Sequence, residues 1–248
     1  MNASHDGRSK ETCLKDADTK FGGAEEFYHG LAGRHYHEGK RALHPKAAPW
    51  VMALRSEKFR RYVQPQDTVF EFGVGFGWNL AQIKCARRIG TDIAGFLENH
   101  MSSLGIEFVS GIDLIPDGTV DVVICHHTLE HLPNPAETLK QLARILKSQG
   151  RLILHVPWEK ERRYSHYDPN EPNHHLYTWN AQNLGNLVSV CGFSVESVAV
   201  RRYGYDRFAS KLAARLGLNE FGFRLIRSAL ILLRPLYEVE LVARSEIR

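Results

Sequence analysis

The sequence lacks several features that would assign it to a specialised class of protein. Its four cysteines are far apart and form no Cys-x-x-Cys pair, which predicts reduced thiols rather than disulfides. No apolar run approaches the roughly 18 residues of a membrane span, and the polar residues 1–20 contain no secretory signal. Together these absences predict a cytoplasmic protein without a transmembrane segment.

The sequence also lacks a strong excess of charge of either sign. Its 32 basic and 28 acidic residues leave a net charge of +4. The arginines occur as scattered pairs rather than as a basic cluster, so no nucleic-acid partner is expected. The hydrophobic fraction of 43% and the charged fraction of 24% are those of an ordinary globular chain. Composition leaves the oligomeric state open.

Strand and helix patterns alternate along most of the chain, which indicates βαβ units and a parallel sheet. We divide the chain into a disordered terminus (residues 1–20), a helical cover (21–64) and an α/β domain (65–248). The fold class that follows is a seven-stranded, mostly parallel sheet with helices on both faces and an antiparallel C-terminal strand. The final strands, which lie close together near the C-terminus, are expected to form an antiparallel addition at one edge.

The most informative segment is glycine-rich and lies between the first strand pattern and a predicted helix over residues 78–86. Gly73, Gly75 and Gly77 let the backbone approach a ligand closely, and a helix N-terminus would add unpaired N–H groups. Glu71, at the strand's end, can take up a cationic amino group. Asp92, at the end of the second strand, can accept two hydrogen bonds from a ribose diol.

Several ordered motifs resemble those of the class I S-adenosylmethionine-dependent methyltransferases, in particular the small-molecule type. The resemblance covers roughly residues 65–200 and rests on these segments: Glu71-Phe-Gly-Val-Gly-Phe-Gly77, Gly90-Thr-Asp92-Ile93, Val120-Asp-Val-Val-Ile-Cys125, Thr128-Leu-Glu-His-Leu132, Arg144 to Pro157, and His175-Leu-Tyr-Thr-Trp179. Ser148 and Gln149 depart from the family's usual proline and glycine. The resemblance implies a Rossmann-like domain with S-adenosylmethionine as cofactor. It also implies these cofactor-binding residues: Glu71, Gly73, Gly75, Gly77, Asp92, Ile93, Asp113 and His126.

His127 and Glu159 follow the fourth and fifth strand patterns, whose carboxyl ends are the place where ligands bind in such sheets. The other catalytic and acceptor-binding candidates lie in the approach to the sixth strand pattern. His127 and His174 are the candidate catalytic residues, and Glu159, His175 and Tyr177 the candidate acceptor-binding residues. A structural role is the competing interpretation for each. The predicted function is methyl transfer to a small-molecule or saccharide-like acceptor, on oxygen.

Two other functions compete with this prediction. A nicotinamide-dependent oxidoreductase would place a third glycine where Trp78 stands and its ribose acid about 20 residues further on. A non-catalytic regulatory protein could bind S-adenosylmethionine without turnover.

Two further segments resemble a metal-binding motif and a membrane-contacting helix. The segment His127-Thr-Leu-Glu-His131 matches an inverted zinc-peptidase motif, but Pro133 and Pro135 interrupt the helix that it needs, so no metal is expected. Residues 221–236 are apolar with interspersed arginines and favour packing on the sheet, with contact to a membrane surface as the alternative.

Overall fold

The computed structural model of the chain describes residue 28 and residues 30–34, 43–158, 166–168 and 173–246. The terminus predicted to be disordered lies outside these residues. The centre of the described chain is one seven-stranded sheet in the order β3-β2-β1-β4-β5-β7-β6. Its strands are β1 (Thr68–Phe72), β2 (Arg87–Thr91), β3 (Glu107–Val109), β4 (Val120–His126), β5 (Leu146–Pro157), β6 (Phe193–Tyr203) and β7 (Leu236–Ser245).

The strand directions confirm a mostly parallel sheet with an antiparallel C-terminal strand. β1 pairs in parallel with β2 and β4, and β4 pairs in parallel with β5. β7 runs antiparallel to both of its neighbours, β5 and β6. The final strands form the expected antiparallel addition at one edge, within which β7 inserts between β5 and β6 and leaves β6 outermost. This insertion places β7 next to the edge strand and buries residues 238–243 on both of its faces.

Helices pack around the sheet in the order that the strand and helix patterns predict. The 11-residue helix that follows β4 begins as expected, because the Asn134 side chain accepts a hydrogen bond from the Glu137 backbone N–H. It ends at Ile145 rather than at Gly150. The helices are α1 (Gly30–Arg34), α2 (Ala48–Phe59), α3 (Glu98–Ser103), α4 (Pro135–Ile145), α5 (Ala181–Val190), α6 (Asp206–Arg215) and α7 (Glu220–Leu233).

The helix predicted over residues 78–86 is wrong, because the structure has only turns there. Ala81 N–H donates to Gly77 O as in a helix, but Ile83 N–H already donates to Leu80 O in a tighter turn. Ala86 N–H then donates to Asp67 O and leads into β2. The glycine segment therefore presents N–H groups of a turn and not of a helix N-terminus.

Side chains from alternate strand positions form a core on each face of the sheet. Phe70, Val123 and Leu152 belong to the core under α4 and α5, whereas Val69 and Ile153 belong to the opposite one. A third, smaller cluster joins the N-terminal and C-terminal helices around Trp78, with these members: Val51, Trp78, Ala209, Ala213 and Phe223. This cluster holds α2 across the carboxyl edge of the sheet.

The surface of α7 is more apolar than packing on the sheet would predict. Phe223 is fully buried, but these side chains of the helix are exposed: Phe221, Leu225, Leu232 and Leu233. Within the described ranges, none of the helices combines the length and the apolar character needed to cross a bilayer.

Candidate functional site

The glycine turn after β1 depends on three glycines with left-handed backbone. Gly73, Gly75 and Gly77 have φ angles of 76°, 50° and 68°. The N–H groups of residues 73 and 74 both donate to Thr91 O at 2.9 Å, which ties the turn to the end of β2. A Cβ atom at residue 73 would lie 2.2 Å from Thr128 Oγ1, so packing against the β4 loop also requires glycine there.

Asp92 supports this turn directly from the end of β2. Its Oδ2 accepts the Gly75 N–H at 2.8 Å, and its Oδ1 accepts the Ala94 N–H at 2.9 Å. A carboxylate offers about four lone-pair positions, so each oxygen retains capacity for a ligand hydroxyl. Ile93, the next residue, is 40% exposed beside it. The position fits the predicted contact with a ribose diol.

Glu71 is a buried carboxyl group at the end of β1, next to the glycine turn. Its Oε1 accepts a hydrogen bond from Asn79 Nδ2 at 2.5 Å, while its Oε2 has no hydrogen-bond partner among the described residues. Burial raises the pKa of Glu71 to about 8, and Asn79 and Arg55 act in the opposite direction. A cationic amino group at Oε2 would supply the missing partner, so these residues fit an amino-acid-bearing cofactor.

A cavity of about 550 Å³ opens beyond the carboxyl ends of β4 and β5. A narrow cleft of about 20 Å³ adjoins it on the side of Gly73 and Val74. Arg55, Trp78 and His126 line both spaces. A cofactor on the glycine turn would therefore meet a second ligand at these three side chains.

Glu238 is the centre of a buried polar cluster below the cavity. Its Oε1 lies 2.6 Å from Lys58 Nζ and 3.2 Å from His155 Nδ1, and its Oε2 lies 3.1 Å from His127 Nε2. Lys58 Nζ is also 3.3 Å from His126 Nε2. One carboxylate thus fixes the orientation of side chains from α2, from the loop after β4 and from β5.

Burial controls the protonation of this cluster. It lowers the pKa of His126, His127 and His155, although Glu238 acts in the opposite direction on all three. Burial alone would raise the pKa of Glu238, but the Lys58 ammonium and the histidine hydrogen bonds hold it well below its usual value. A carboxylate with neutral imidazoles beside it is therefore the favoured state.

Arg55 reaches the junction between cleft and cavity because Asp206 holds it. Its Nε lies 3.1 Å from Asp206 Oδ2, and Arg227 Nε lies 2.7 Å from Oδ1 of the same carboxylate. The Arg55 guanidinium stacks 5.1 Å above the Trp78 ring. The C-terminal helices therefore position a cation at the junction.

The structure brings some of the predicted acceptor-side residues together and separates others. His127 and His175 line the cavity, as does His126, which was predicted to contact the cofactor. His174 is not among the lining residues, although its neighbours Asn173 and His175 are. Asp113, a predicted cofactor contact, is exposed in the turn after β3. Glu159, a predicted acceptor contact, lies outside the described residues.

Tyr177 packs on the loop outside the cavity. Its hydroxyl donates to Pro133 O at 3.0 Å, and its ring stacks on Trp179 at 5.6 Å. These contacts are the structural role that competes with the predicted acceptor contact of Tyr177.

Sequence reasoning missed Arg55, Lys58 and Glu238. The first two lie on a helix that the sequence marks only as a cover. The sequence pattern could have indicated Glu238, because Glu238 and Glu240 alternate with Val239 and Leu241 in an otherwise apolar strand. Two acids on one face of a buried strand indicate partners on neighbouring elements.

Comparisons with known proteins agree with this architecture. Residues 39–198 match the sequence profile of a methyltransferase domain family, which covers more than half of the chain. A Mycobacterium tuberculosis protein assigned as an S-adenosylmethionine-dependent methyltransferase is 28% identical over 174 residues, which are 59% of this chain. The chain spans 63% of the length of that relative.

Solved structures show the same fold at low sequence identity. The 1,6-didemethyltoxoflavin-N1-methyltransferase of Burkholderia thailandensis, solved with S-adenosylhomocysteine, superposes with a TM-score of 0.57 at 16% identity, covering 87% of this chain and 85% of its own. The [4+2]-cyclase SpnF superposes with a TM-score of 0.55 at 16% identity, covering 84% of each chain. The fold by itself therefore does not specify the reaction.

The sheet order and the glycine turn at its carboxyl edge define a class I methyltransferase fold. With the profile match, the chain belongs to the methyltransferase domain family of S-adenosylmethionine-dependent enzymes. This membership sets aside the nicotinamide-dependent alternative.

Proposed function

We propose that this protein transfers the methyl group of S-adenosylmethionine to a hydroxyl group of a small, polar, saccharide-like acceptor. One observation carries the proposal: the narrow cleft beside the glycine turn continues into the 550 Å³ cavity through Arg55, Trp78 and His126. Two ligands that met at these residues would place a methyl donor beside an acceptor. Holding both in line accounts for much of the acceleration that methyl transfer requires.

The residues around the glycine turn have separate roles in holding the cofactor. Bound S-adenosylmethionine supplies an electrophilic methyl group on its sulfonium. Glu71 Oε2 would receive the amino group of the amino-acid part, and ionisation of this buried carboxyl is favoured by that positive charge. Asp92 would accept the ribose hydroxyls while it continues to hold Gly75. We also propose that Asp113 contacts the adenine group of the cofactor.

The cavity supports a polar acceptor because most of its wall carries hydrogen-bonding side chains. His127 contributes a ring whose Nε2 is held by Glu238 at 3.1 Å, so its orientation is fixed before a ligand enters. We propose that His127 orients the acceptor hydroxyl, and that His175 contacts the acceptor nearby. His174 and Glu159 stay secondary candidates for the catalytic and acceptor-binding roles.

The segment before β1 supports the proposed helical cover over the site. α2 supplies Arg55 to the junction and Lys58 to Glu238. Residues 21–64 would then complete the active site rather than form a separate unit. Among the described residues, Cys85, Cys125 and Cys191 are free thiols, which supports a reducing, cytoplasmic environment.

Calorimetry with the purified full-length protein tests the cofactor part of this proposal. S-adenosylhomocysteine is expected to bind and NAD is not. Glu71→Ala should weaken binding, whereas Glu107→Ala, which removes an exposed acid paired with Arg87, should not. Binding of NAD in place of S-adenosylhomocysteine would overturn the assignment.

A panel of acceptors tests the oxygen assignment. Matched monosaccharides, phenols and amines would be incubated with methyl-labelled cofactor, and the methylated atom identified by mass spectrometry and NMR. Methylation of amines alone would contradict transfer to oxygen. A protein that binds S-adenosylhomocysteine but methylates none of them would support the non-catalytic alternative.

A further inference from the structure

A second cluster of ligand-type side chains lies on the cavity wall, separate from the Glu238 cluster. Glu130, His131 and His175 each offer one ligand atom, and these atoms all lie within 4.8 Å of one another. His131 Nε2 is 3.9 Å from Glu130 Oε1. All three residues line the 550 Å³ cavity, so a bound ion would be reachable from it.

The backbone brings these residues together from two distant parts of the chain. Glu130 and His131 lie in the short helical turn after β4, and His175 lies in the loop before α5. The N–H groups of Leu176 and Tyr177 donate to Glu130 O at 2.8 Å and 3.2 Å, which fixes the loop against the turn. Backbone hydrogen bonds therefore hold the residues of this cluster together.

Hydrogen bonding indicates which nitrogen of His131 faces Glu130. The Tyr28 hydroxyl donates its single hydrogen to Asn173 O at 2.7 Å. Its oxygen lies 3.5 Å from His131 Nδ1, so it can accept the Nδ1–H of a neutral ring. The Nε2 lone pair then points towards the Glu130 carboxylate.

His127, like His131, directs a ring nitrogen towards the Glu130 carboxylate. Its Nε2 is hydrogen-bonded to the Glu238 carboxylate, which can only accept, so its Nδ1 carries the lone pair of a neutral ring. That Nδ1 lies 3.7 Å from the same Glu130 Oε1. A cation between these groups would be stabilised by the carboxylate charge and by the imidazole lone pairs.

We propose that Glu130, His131 and His175 form a binding site for a divalent transition metal ion, with Zn²⁺ as the best-matched ion. Two imidazoles with one carboxylate are a donor set typical of zinc and related first-row metals. Tetrahedral zinc with bonds of about 2.0–2.2 Å holds its ligands roughly 3.4 Å apart, so modest side-chain movement would complete the site. The Tyr28 hydroxyl would act as the outer partner that orients His131.

The inverted zinc-peptidase motif is not the basis of this site. That motif needs residues 127 and 131 as paired ligands on one helix, whereas the turn ends at His131 and the second histidine comes from the loop before α5. The proposal therefore departs from the expectation of no metal site, because it depends on residues that only the tertiary structure brings together.

The other cluster of metal-type ligands is a poorer candidate. His126, His155 and Glu238 also lie within 4.8 Å of one another. However, Lys58 Nζ lies 2.6 Å from Glu238 Oε1 and 3.3 Å from His126 Nε2, so a cation already occupies the position between them. We therefore expect a metal ion to bind at the Glu130 cluster and not at the Glu238 cluster.

Zinc titration of the metal-stripped, full-length protein tests the proposal. One equivalent of Zn²⁺ is expected to bind, measured by calorimetry and by metal analysis after desalting. Glu130→Gln, His131→Gln and His175→Gln should each weaken binding by about tenfold or more. His44→Gln, an exposed histidine outside the cavity, and His155→Gln in the Lys58 cluster should retain it.

A second readout keeps the test valid if a variant fails to fold. Co²⁺ bound to the wild-type protein should show visible d–d absorption of a four- or five-coordinate site, and Zn²⁺ should displace it. Absence of binding, or equal binding by wild type and the three ligand variants, would overturn the proposal and leave an imidazolium–carboxylate pair. Loss of binding in His155→Gln alone would place the ion at the other cluster and overturn it too.

If the proposed methyl transfer is correct, the ion would lie where an acceptor hydroxyl enters the cavity. The zinc measurement does not depend on that function, because it needs neither cofactor nor acceptor. A protein that binds zinc but not S-adenosylhomocysteine would keep the metal site and refute the methyltransferase proposal, and the reverse result would do the opposite.

Discussion

Asp92 Oδ2 accepts a hydrogen bond of 2.8 Å from the Gly75 N–H, so the acid expected to hold the ribose also holds the glycine turn in shape. Ligand binding and local structure are therefore coupled through one side chain. Neither role alone describes the effect of replacing it.

Asp92→Ala should weaken S-adenosylhomocysteine binding by roughly 1.5–3 kcal/mol, about ten- to a hundredfold, because a charge-assisted contact is lost and the turn loosens. Calorimetry measures the affinity, and Asp113→Ala is the matched variant at the neighbouring strand end. An equal or larger loss at Asp113 would move the main acidic contact to β3. Unchanged affinity in Asp92→Ala would refute the assigned role.

Glu71 should make the ligand-free protein less stable as the pH rises. Its folded pKa of about 8 lies above the ordinary value of 4.5, so the folded state binds the proton more tightly. The stabilisation is complete below pH 4.5 and is lost as the pH rises towards and through 8. Thermal unfolding of Glu71→Gln should therefore depend less on pH between 5 and 8 than that of the wild type. Parallel pH profiles of the two proteins would contradict a raised pKa.

Gln149→Gly should stabilise the protein by about 0.5–1 kcal/mol, because residue 149 has a φ of 63° that costs a non-glycine residue about 1–2 kcal/mol. Part of this gain is offset by the greater freedom of glycine in the unfolded chain. The melting temperature should rise by a few degrees. Gln141→Gly within α4 is the control and should destabilise by about 1 kcal/mol. A lower melting temperature for Gln149→Gly would show that the side chain stabilises the turn.

Glu238→Gln should destabilise the protein by about 3–5 kcal/mol, because it leaves the Lys58 ammonium without its buried partner. Denaturant unfolding of Glu238→Gln, Lys58→Met and the double variant measures the coupling. The double variant should lose clearly less than the sum of the two single variants. Additive losses would mean that the 2.6 Å contact contributes nothing of its own.

The strand count, the mostly parallel sheet and the glycine turn were predictable because they depend on local patterns. Short apolar runs, glycine positions and the Asn134 cap each influence the backbone conformation of residues only a few positions away. The helix predicted after Gly77 failed for a tertiary reason. Leu80 and Ile83 are buried against neighbouring elements, and β2 begins too soon for a full helix to form.

The acceptor side was only partly predictable. His127 could be placed near the sheet edge because it directly follows a strand, whereas His174, His175 and Tyr177 could not be separated from one another by sequence alone. Neighbouring residues in a loop point in different directions, and the direction depends on packing. Loop direction brings His175 to the cavity and leaves Tyr177 against Pro133 and Trp179.

The sequence by itself determined the class of fold and the position of the acids Glu71 and Asp92 beside the glycine turn, because these follow from local strand patterns in a known strand order. Only the tertiary structure decided that Lys58 from α2 meets Glu238 from β7, and that Glu130 meets His175. Contacts of this kind join residues far apart in the chain. Their geometry depends on how β7 inserts into the sheet and how the loop before α5 folds back, which no local pattern encodes.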